Sequence, residues 1–141
     1  MKFGTYLTTA ISVSLLASCA SVERDTGPAP ITSKNAKFLE KAMKGRVAGE
    51  PVKCVPSFAG RNFTPVSDDL IIYRSGSVVY QNKLDRRCSG LGRGDDILVF
   101  ERSGISQYCK GDTFKLADRT TGGTAGFCRL GEFVPYRKVK D

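Results

Sequence analysis

The chain has 141 residues, with 22 lysines and arginines against 14 aspartates and glutamates, no histidine, and a formal net charge of +8. That length suits one modest domain and excludes two. The lack of histidine removes the commonest general base and a frequent zinc ligand, which argues against an enzyme.

The first segment is an apolar run behind a single early cation, Lys2. Residues 3–16 carry no charge and include Tyr6, Leu7, Ala10, Ile11, Val13, Leu15 and Leu16. This run has signal-peptide length and falls short of the roughly 20 residues a membrane-spanning helix needs. It closes on Leu16-Ala17-Ser18-Cys19, which resembles the lipobox of bacterial lipoprotein precursors. The resemblance implies that residues 1–18 are removed and that Cys19 becomes the acylated first residue. Two or more acyl chains anchor a protein stably. Ala20 stands where an aspartate favours inner-membrane retention, so the expected address is the cell envelope, on the outer membrane and facing the periplasm. Removal of the leader leaves 123 residues, whose 21 basic and 14 acidic groups give +7. In that compartment the available polyanions are lipid headgroups, lipopolysaccharide and cell-wall polymers, and nucleic acid is not an expected partner.

Residues 19–31, stiffened by Pro28 and Pro30, read as a flexible tether. A short helix is expected over residues 32–45, with Thr32 or Ser33 as cap. Ala36, Leu39, Ala42 and Met43 share one face, and Gly45 is placed to stop it. Lys34, Lys37, Lys41 and Lys44 line another face, as a solvated surface does. A disulfide-stapled β domain is expected over residues 46–137, with residues 138–141 as a frayed tail. Pro51-Val52-Lys53-Cys54-Val55-Pro56 suits an edge strand. Phe58 and Phe63 belong to a core or to a loop packed over it, and residues 61–65 read as a connection.

An internal repeat dominates the middle of the chain. Asp68-Asp69-Leu70-Ile71-Ile72-Tyr73-Arg74-Ser75-Gly76 is echoed by Asp95-Asp96-Ile97-Leu98-Val99-Phe100-Glu101-Arg102-Ser103-Gly104. Each copy ends in a tyrosine four residues past its glycine, Tyr80 and Tyr108. A β-branched and aromatic run, a Ser-Gly turn and a second run predict a hairpin in each copy. The extra residue near Glu101 suits a bulge. Phe114 and Leu116, alternating with Lys115, predict a further strand. Residues 120–126 read as a flexible turn, and residues 127–136 as the last strand. Six to eight such strands predict a mainly β fold, a small antiparallel barrel or sandwich.

Four cysteines follow Cys19: Cys54, Cys88, Cys109 and Cys128. In an oxidising compartment they predict two disulfides. Of three possible pairings, the nested one is expected, Cys54–Cys128 with Cys88–Cys109. It ties the first strand to the last and staples the two hairpins. With no CxxC pair and no histidine, neither a metal nor a cofactor is expected.

Gly90-Leu91-Gly92-Arg93-Gly94 lacks the flanking elements of a nucleotide-binding loop and fits a glycine-rich turn beside a disulfide. Arg93-Gly94-Asp95 spells an adhesion tripeptide, a match of little weight. The doublets Asp68-Asp69 and Asp95-Asp96 suit strand entries. They would make an acid/base or calcium site only if Asp68 met Asp95. No serine after the leader has a lysine three residues on, so a Ser-Lys nucleophile is unsupported. The remaining candidate is a basic loop, Lys83, Arg86, Arg87 and Arg93, beside Cys88. Held rigid by a disulfide, it suits an anionic polymer or an acidic protein cleft.

The opening Gly45-Arg46-Val47-Ala48-Gly49-Glu50-Pro51-Val52-Lys53-Cys54 and the closing Cys128-Arg129-Leu130-Gly131-Glu132-Phe133-Val134-Pro135-Tyr136 resemble a family of small proteobacterial lipoproteins and exported proteins of unknown function. The resemblance, over residues 38–137, implies domain limits and disulfides and brings no activity. The expected role is a membrane-anchored, non-catalytic binding or structural module, held in the bilayer through acylated Cys19. The alternative is an inhibitor of a foreign hydrolase. Membrane-bound lysozyme inhibitors are similar small disulfide-linked β-barrel lipoproteins with a Ser-Gly-x-x-Tyr loop, whereas both loops here read Ser-Gly-x-x-x-Tyr.

Overall fold

The computed structural model describes residues 27–57, 63–101 and 106–139. The expected leader, Cys19, residues 20–26, residues 58–62 with Phe58, residues 102–105 and the last two residues lie outside that range. One helix, α1 (Ser33–Met43), precedes ten short strands among the described residues. They are β1 (Arg46–Ala48), β2 (Cys54–Pro56), β3 (Phe63–Pro65), β4 (Leu70–Ser75), β5 (Val78–Lys83), β6 (Ile97–Val99), β7 (Gln107–Cys109), β8 (Thr113–Ala117), β9 (Thr124–Arg129) and β10 (Phe133–Lys138). All pairings are antiparallel, in a five-stranded sheet β1-β10-β5-β4-β3, a three-stranded sheet β6-β8-β9 and a β2-β7 pair. The fold is mainly β with one helix and two disulfides. No sheet closes into a barrel among the described residues; the open sheets fit a sandwich.

Strand β4 shows how the layers form. Successive strand residues face opposite ways, so Ile71 and Tyr73 join a core with Val55, Phe114, Leu116, Leu130 and Phe133. Ile72 points to the other face and meets Val66 and Val79 beneath Phe38, Leu39 and Met43 of α1. With both faces covered, Ile71, Ile72 and Tyr73 are each 0% exposed. The five-stranded sheet is therefore the middle layer, between the helix and the two smaller sheets.

The helix is capped as expected. The Thr32 hydroxyl accepts the Asn35 amide at 3.3 Å, and Gly45 follows the last turn at φ +67°. Ala42 is buried on the sheet side, whereas Ala36 is exposed, as are Lys34, Lys37, Lys41 and Lys44. The Asn35 side chain donates to the carbonyls of Val66 (2.9 Å) and Gly92 (3.0 Å), tying the helix to the sheet and to the glycine-rich loop.

The first repeat copy is a hairpin, β4 and β5 joined by Gly76 and Ser77, with Gly76 at φ +57°. The second copy is not. Its strands β6 and β7 pair elsewhere, β6 with β8 and β7 with β2. The disulfides change with them. The nested pairing Cys54–Cys128 with Cys88–Cys109 is replaced by Cys54–Cys109 and Cys88–Cys128. The cause is strand pairing: Cys54 and Cys109 stand directly opposite in β2-β7, with Cα atoms 4.0 Å apart. Cys128, inward on β9, then faces the Cys88 loop, with Cα atoms 5.7 Å apart. Closing loops of 55 and 40 residues, each bridge contributes about 4 kcal/mol in the chain-entropy account.

Three smaller expectations also change. The end of the expected tether lies on the domain, with Ala29 only 4% exposed. The closing stretch holds two strands, β9 beginning at Thr124 inside the expected turn, and β10. Lys138 is paired opposite Arg46, and the Val139 amide donates to the Gly45 carbonyl at 3.2 Å, so these residues do not fray.

Candidate anion-binding site

The corrected disulfide builds the site. Cys88 is preceded by Arg86 and Arg87, and Cys128 is flanked by Phe127 and Arg129. Both half-cystines are buried, at 6% exposure each, while Arg86, Arg87, Phe127 and Arg129 are exposed. Strand alternation explains the second flank: with Cys128 inward on β9, its neighbours must point outward. The bridge thus brings two sequence-distant flanks together. They line one cleft of about 510 Å³ with Asp85 and Thr113. Thr113 belongs there because it stands opposite Arg129 in β8-β9.

Three arginines and one acidic residue, Asp85, line this cleft, with Arg87 also donating to the Gly27 carbonyl. A guanidinium keeps its charge at any physiological pH and matches the oxygens of a phosphate or carboxylate with paired N–H donors. Phe127, 73% exposed, is the most exposed large hydrophobic residue of the described chain and adds an apolar edge to the cationic one. Arginine beside an aromatic ring suits an anion carried by something less polar, a headgroup or a sugar phosphate.

The loop that carries Arg86 and Arg87 is braced from below. The Asp68 carbonyl accepts the Cys88 amide at 2.6 Å, and the Asp69 carbonyl accepts the Leu84 amide at 2.8 Å. The Asp68 carboxylate accepts the Gly92 amide at 2.9 Å. Gly92 passes so close that a Cβ there would lie 2.9 Å from the Ser67 Cα, which requires glycine. The Asp69 carboxylate accepts the Ser67 hydroxyl at 2.6 Å and the Ala29 amide at 3.4 Å. The first aspartate doublet is thus committed to loop support. Asp95 is exposed and Asp96 lines a separate cleft with Phe63, Phe100, Tyr108 and Arg119. Among the described residues, no group of three cysteine, aspartate or glutamate side chains could hold a metal ion.

Of the four residues expected to form the basic loop, Arg86 and Arg87 share the cleft. Lys83 lines a different cavity of about 540 Å³ with Lys110, Glu132 and the docked segment from Pro28 to Ile31. Arg93 sits in the short 3-10 turn Leu91–Arg93, and its side chain packs against Gly90. Phe127 and Arg129 replace them, and both escaped sequence reasoning. Their signal was adjacency to a cysteine, which is useless until the pairing is known. The Ser75-Gly76 loop is the tight β4-β5 turn, and Arg46 donates to its Ser77 carbonyl at 2.6 Å. Its counterpart Ser103-Gly104 lies outside the described residues.

Another buried polar pair steadies the neighbouring strand end. The Asn82 side chain, 0% exposed, donates to the Gly131 carbonyl at 2.8 Å and accepts the Gly131 amide at 3.0 Å. A Cβ at Gly131 would overlap the Lys83 carbonyl, so that clamp also needs glycine. Comparison with family models, curated proteins and solved structures finds no match.

Proposed function

We propose that this chain is an envelope lipoprotein, acylated at Cys19, whose β domain is a non-catalytic binding module for anionic groups. The observation that carries the binding part is the convergence of Arg86, Arg87 and Arg129 on one cleft across the Cys88–Cys128 bridge. A rigid, three-arginine cleft with a single carboxylate is a receptor for an anion. The lipobox Leu16-Ala17-Ser18-Cys19 and the resemblance to small exported lipoproteins support the address.

Titration with lipopolysaccharide and with soluble peptidoglycan fragments tests the binding part at low salt. The native chain is expected to bind one of these anionic ligands, or anionic lipid, in a salt-dependent way. Replacing Arg86, Arg87 and Arg129 together by alanine is expected to weaken binding by at least tenfold. Equal binding by the native and triple-alanine chains would end the assignment to this cleft. For the address, intact mass of the chain from membranes should carry the acyl groups, and Cys19→Ser should release the chain to the soluble fraction.

A further inference from the structure

Arg87 has a second role that bears on orientation. Its Nη2 donates to the carbonyl of Gly27 at 2.6 Å, which places Gly27, the first described residue, at the rim of the arginine cleft. Gly27 is only eight positions after Cys19. Eight residues reach at most about 28 Å even when fully extended. A domain of this size has a radius of gyration of about 14 Å and a diameter near 35 Å. Going round to its opposite side would take about 55 Å of chain on that scale. An anchor at Cys19 therefore holds the Arg87 side of the domain toward its own bilayer.

That side carries Arg86, Arg87, Arg129 and the exposed Phe127. Arginine paired with a protruding aromatic ring is the chemistry of a membrane–water interface, cation at the phosphates and ring at the acyl boundary. We infer that this face docks on the membrane that holds the anchor. The cleft's anion is then the phosphate of an anionic phospholipid in the same leaflet, with Phe127 inserted beside it. The inference rests on the acylation of Cys19 proposed above, and it names the ligand of the same cleft. Each arginine at an anionic surface multiplies partitioning by about fivefold, so Arg86 and Arg129 together act on the order of 25-fold, with Arg87 engaged at Gly27.

The lack of tryptophan in the chain makes the test clean, since Phe127→Trp supplies the sole indole. The acylated variant is reconstituted in vesicles of phosphatidylcholine with 30% phosphatidylglycerol, and separately in phosphatidylcholine alone. Docking predicts a blue-shifted indole emission, quenched by brominated acyl chains, in the anionic vesicles. Adding Arg86→Ala, Arg87→Ala and Arg129→Ala is expected to abolish quenching while the acyl chains keep the protein on the vesicle. A second measurement avoids variants. On the acylated native chain, phenylglyoxal modification of Arg86, Arg87 and Arg129, read by peptide mass, should fall several-fold on anionic relative to neutral vesicles.

An acylated, vesicle-bound protein with solvent-like indole emission and equal arginine reactivity on both vesicles would overturn the docking and leave the lipoprotein assignment standing. A shift caused only by peptidoglycan fragments or an acidic protein would also overturn it, giving the cleft another occupant. A mature chain without acyl groups at Cys19 would instead overturn the premise itself.

Discussion

The two repeat copies begin with nearly the same residues and meet different fates. In the first, Asp68 and Asp69 brace the Cys88 loop, Ile71, Ile72 and Tyr73 are fully buried, and β4 and β5, of six residues each, close a hairpin. In the second, Asp95 is exposed, Ile97 is 39% exposed, and two three-residue strands take partners from elsewhere. Local pattern is the same; cover is not. The first copy lies between α1 and the main core, so both its faces gain apolar contact. The second packs Leu98, Phe100 and Tyr108 against the main core while Ile97 stays exposed, and its strands pair with β8 and β2.

Equivalent substitutions in the two copies test that account, beginning with the largest effects. Tyr73 and Phe100 occupy matching positions and both touch Phe63, with ring centroids 4.6 and 4.9 Å away. The Tyr73 hydroxyl also donates to the Pro56 carbonyl at 2.6 Å. Tyr73→Ala is expected to cost about 3–5 kcal/mol and Phe100→Ala about half as much, by urea unfolding of the oxidised protein. Equal costs would mean that the copies are equally buried in solution. Next in size are the bridges. Peptide mapping under non-reducing conditions should recover Cys54 linked to Cys109 and Cys88 linked to Cys128. Removing the second pair by alanine is expected to cost about 4 kcal/mol. It should also weaken anion binding, because the flanks that form the cleft lose their tether, whereas removing the first should leave binding nearly intact.

Much of the first copy was legible in the sequence, and little of the second. The continuous apolar runs Leu70-Ile71-Ile72-Tyr73 and Val78-Val79-Tyr80 around a Gly-Ser turn are a short-range signal, and such hairpins depend on neighbours in sequence. So does α1, with Thr32 and Gly45 at its ends. The partners of β6 and β7 are chosen by contacts such as Phe100 against Phe114, with ring centroids 5.0 Å apart. No local pattern encodes those. The nested bridges fall with the second hairpin, since they were to staple two hairpins and only the first one forms. The candidate site inherited that pairing: Arg86 and Arg87 were visible as a cluster, while Phe127 and Arg129 joined them only through Cys128.

A smaller difference separates the aspartate doublets. Asp68→Ala removes the acceptor of the Gly92 amide and is expected to cost about 1–2 kcal/mol. Asp95→Ala, at an exposed position, should change stability by no more than about 0.5 kcal/mol. Comparable losses at both positions would give the second doublet a structural duty.

The smallest predicted effect is a response to acid on the side of the molecule where the second copy ended up. Thr121 donates to the Asp118 carboxylate from its amide (2.7 Å) and hydroxyl (3.0 Å), and the Thr120 amide donates to it at 2.9 Å. These bonds hold the Asp118 carboxyl below the usual aspartate range. The hydrogen bond from Lys115, followed by its positive charge, does the same for Glu101. Both carboxylates flank the three-stranded sheet, Asp118 at the β8-β9 turn and Glu101 two residues beyond β6. A carboxyl whose folded value is depressed contributes stability that is full above its unfolded value and is lost as pH falls through the folded one. The turn at Asp118 should therefore hold through pH 5 and loosen only below about pH 4. Amide shifts of Thr120 and Thr121, followed by NMR on acidification, should titrate with a midpoint below that of an ordinary aspartate. A midpoint at or above the ordinary value would mean that the turn does not form this cap in solution. In that case β9, and Phe127 and Arg129 with it, would be held by the Cys88–Cys128 bridge and β8 alone.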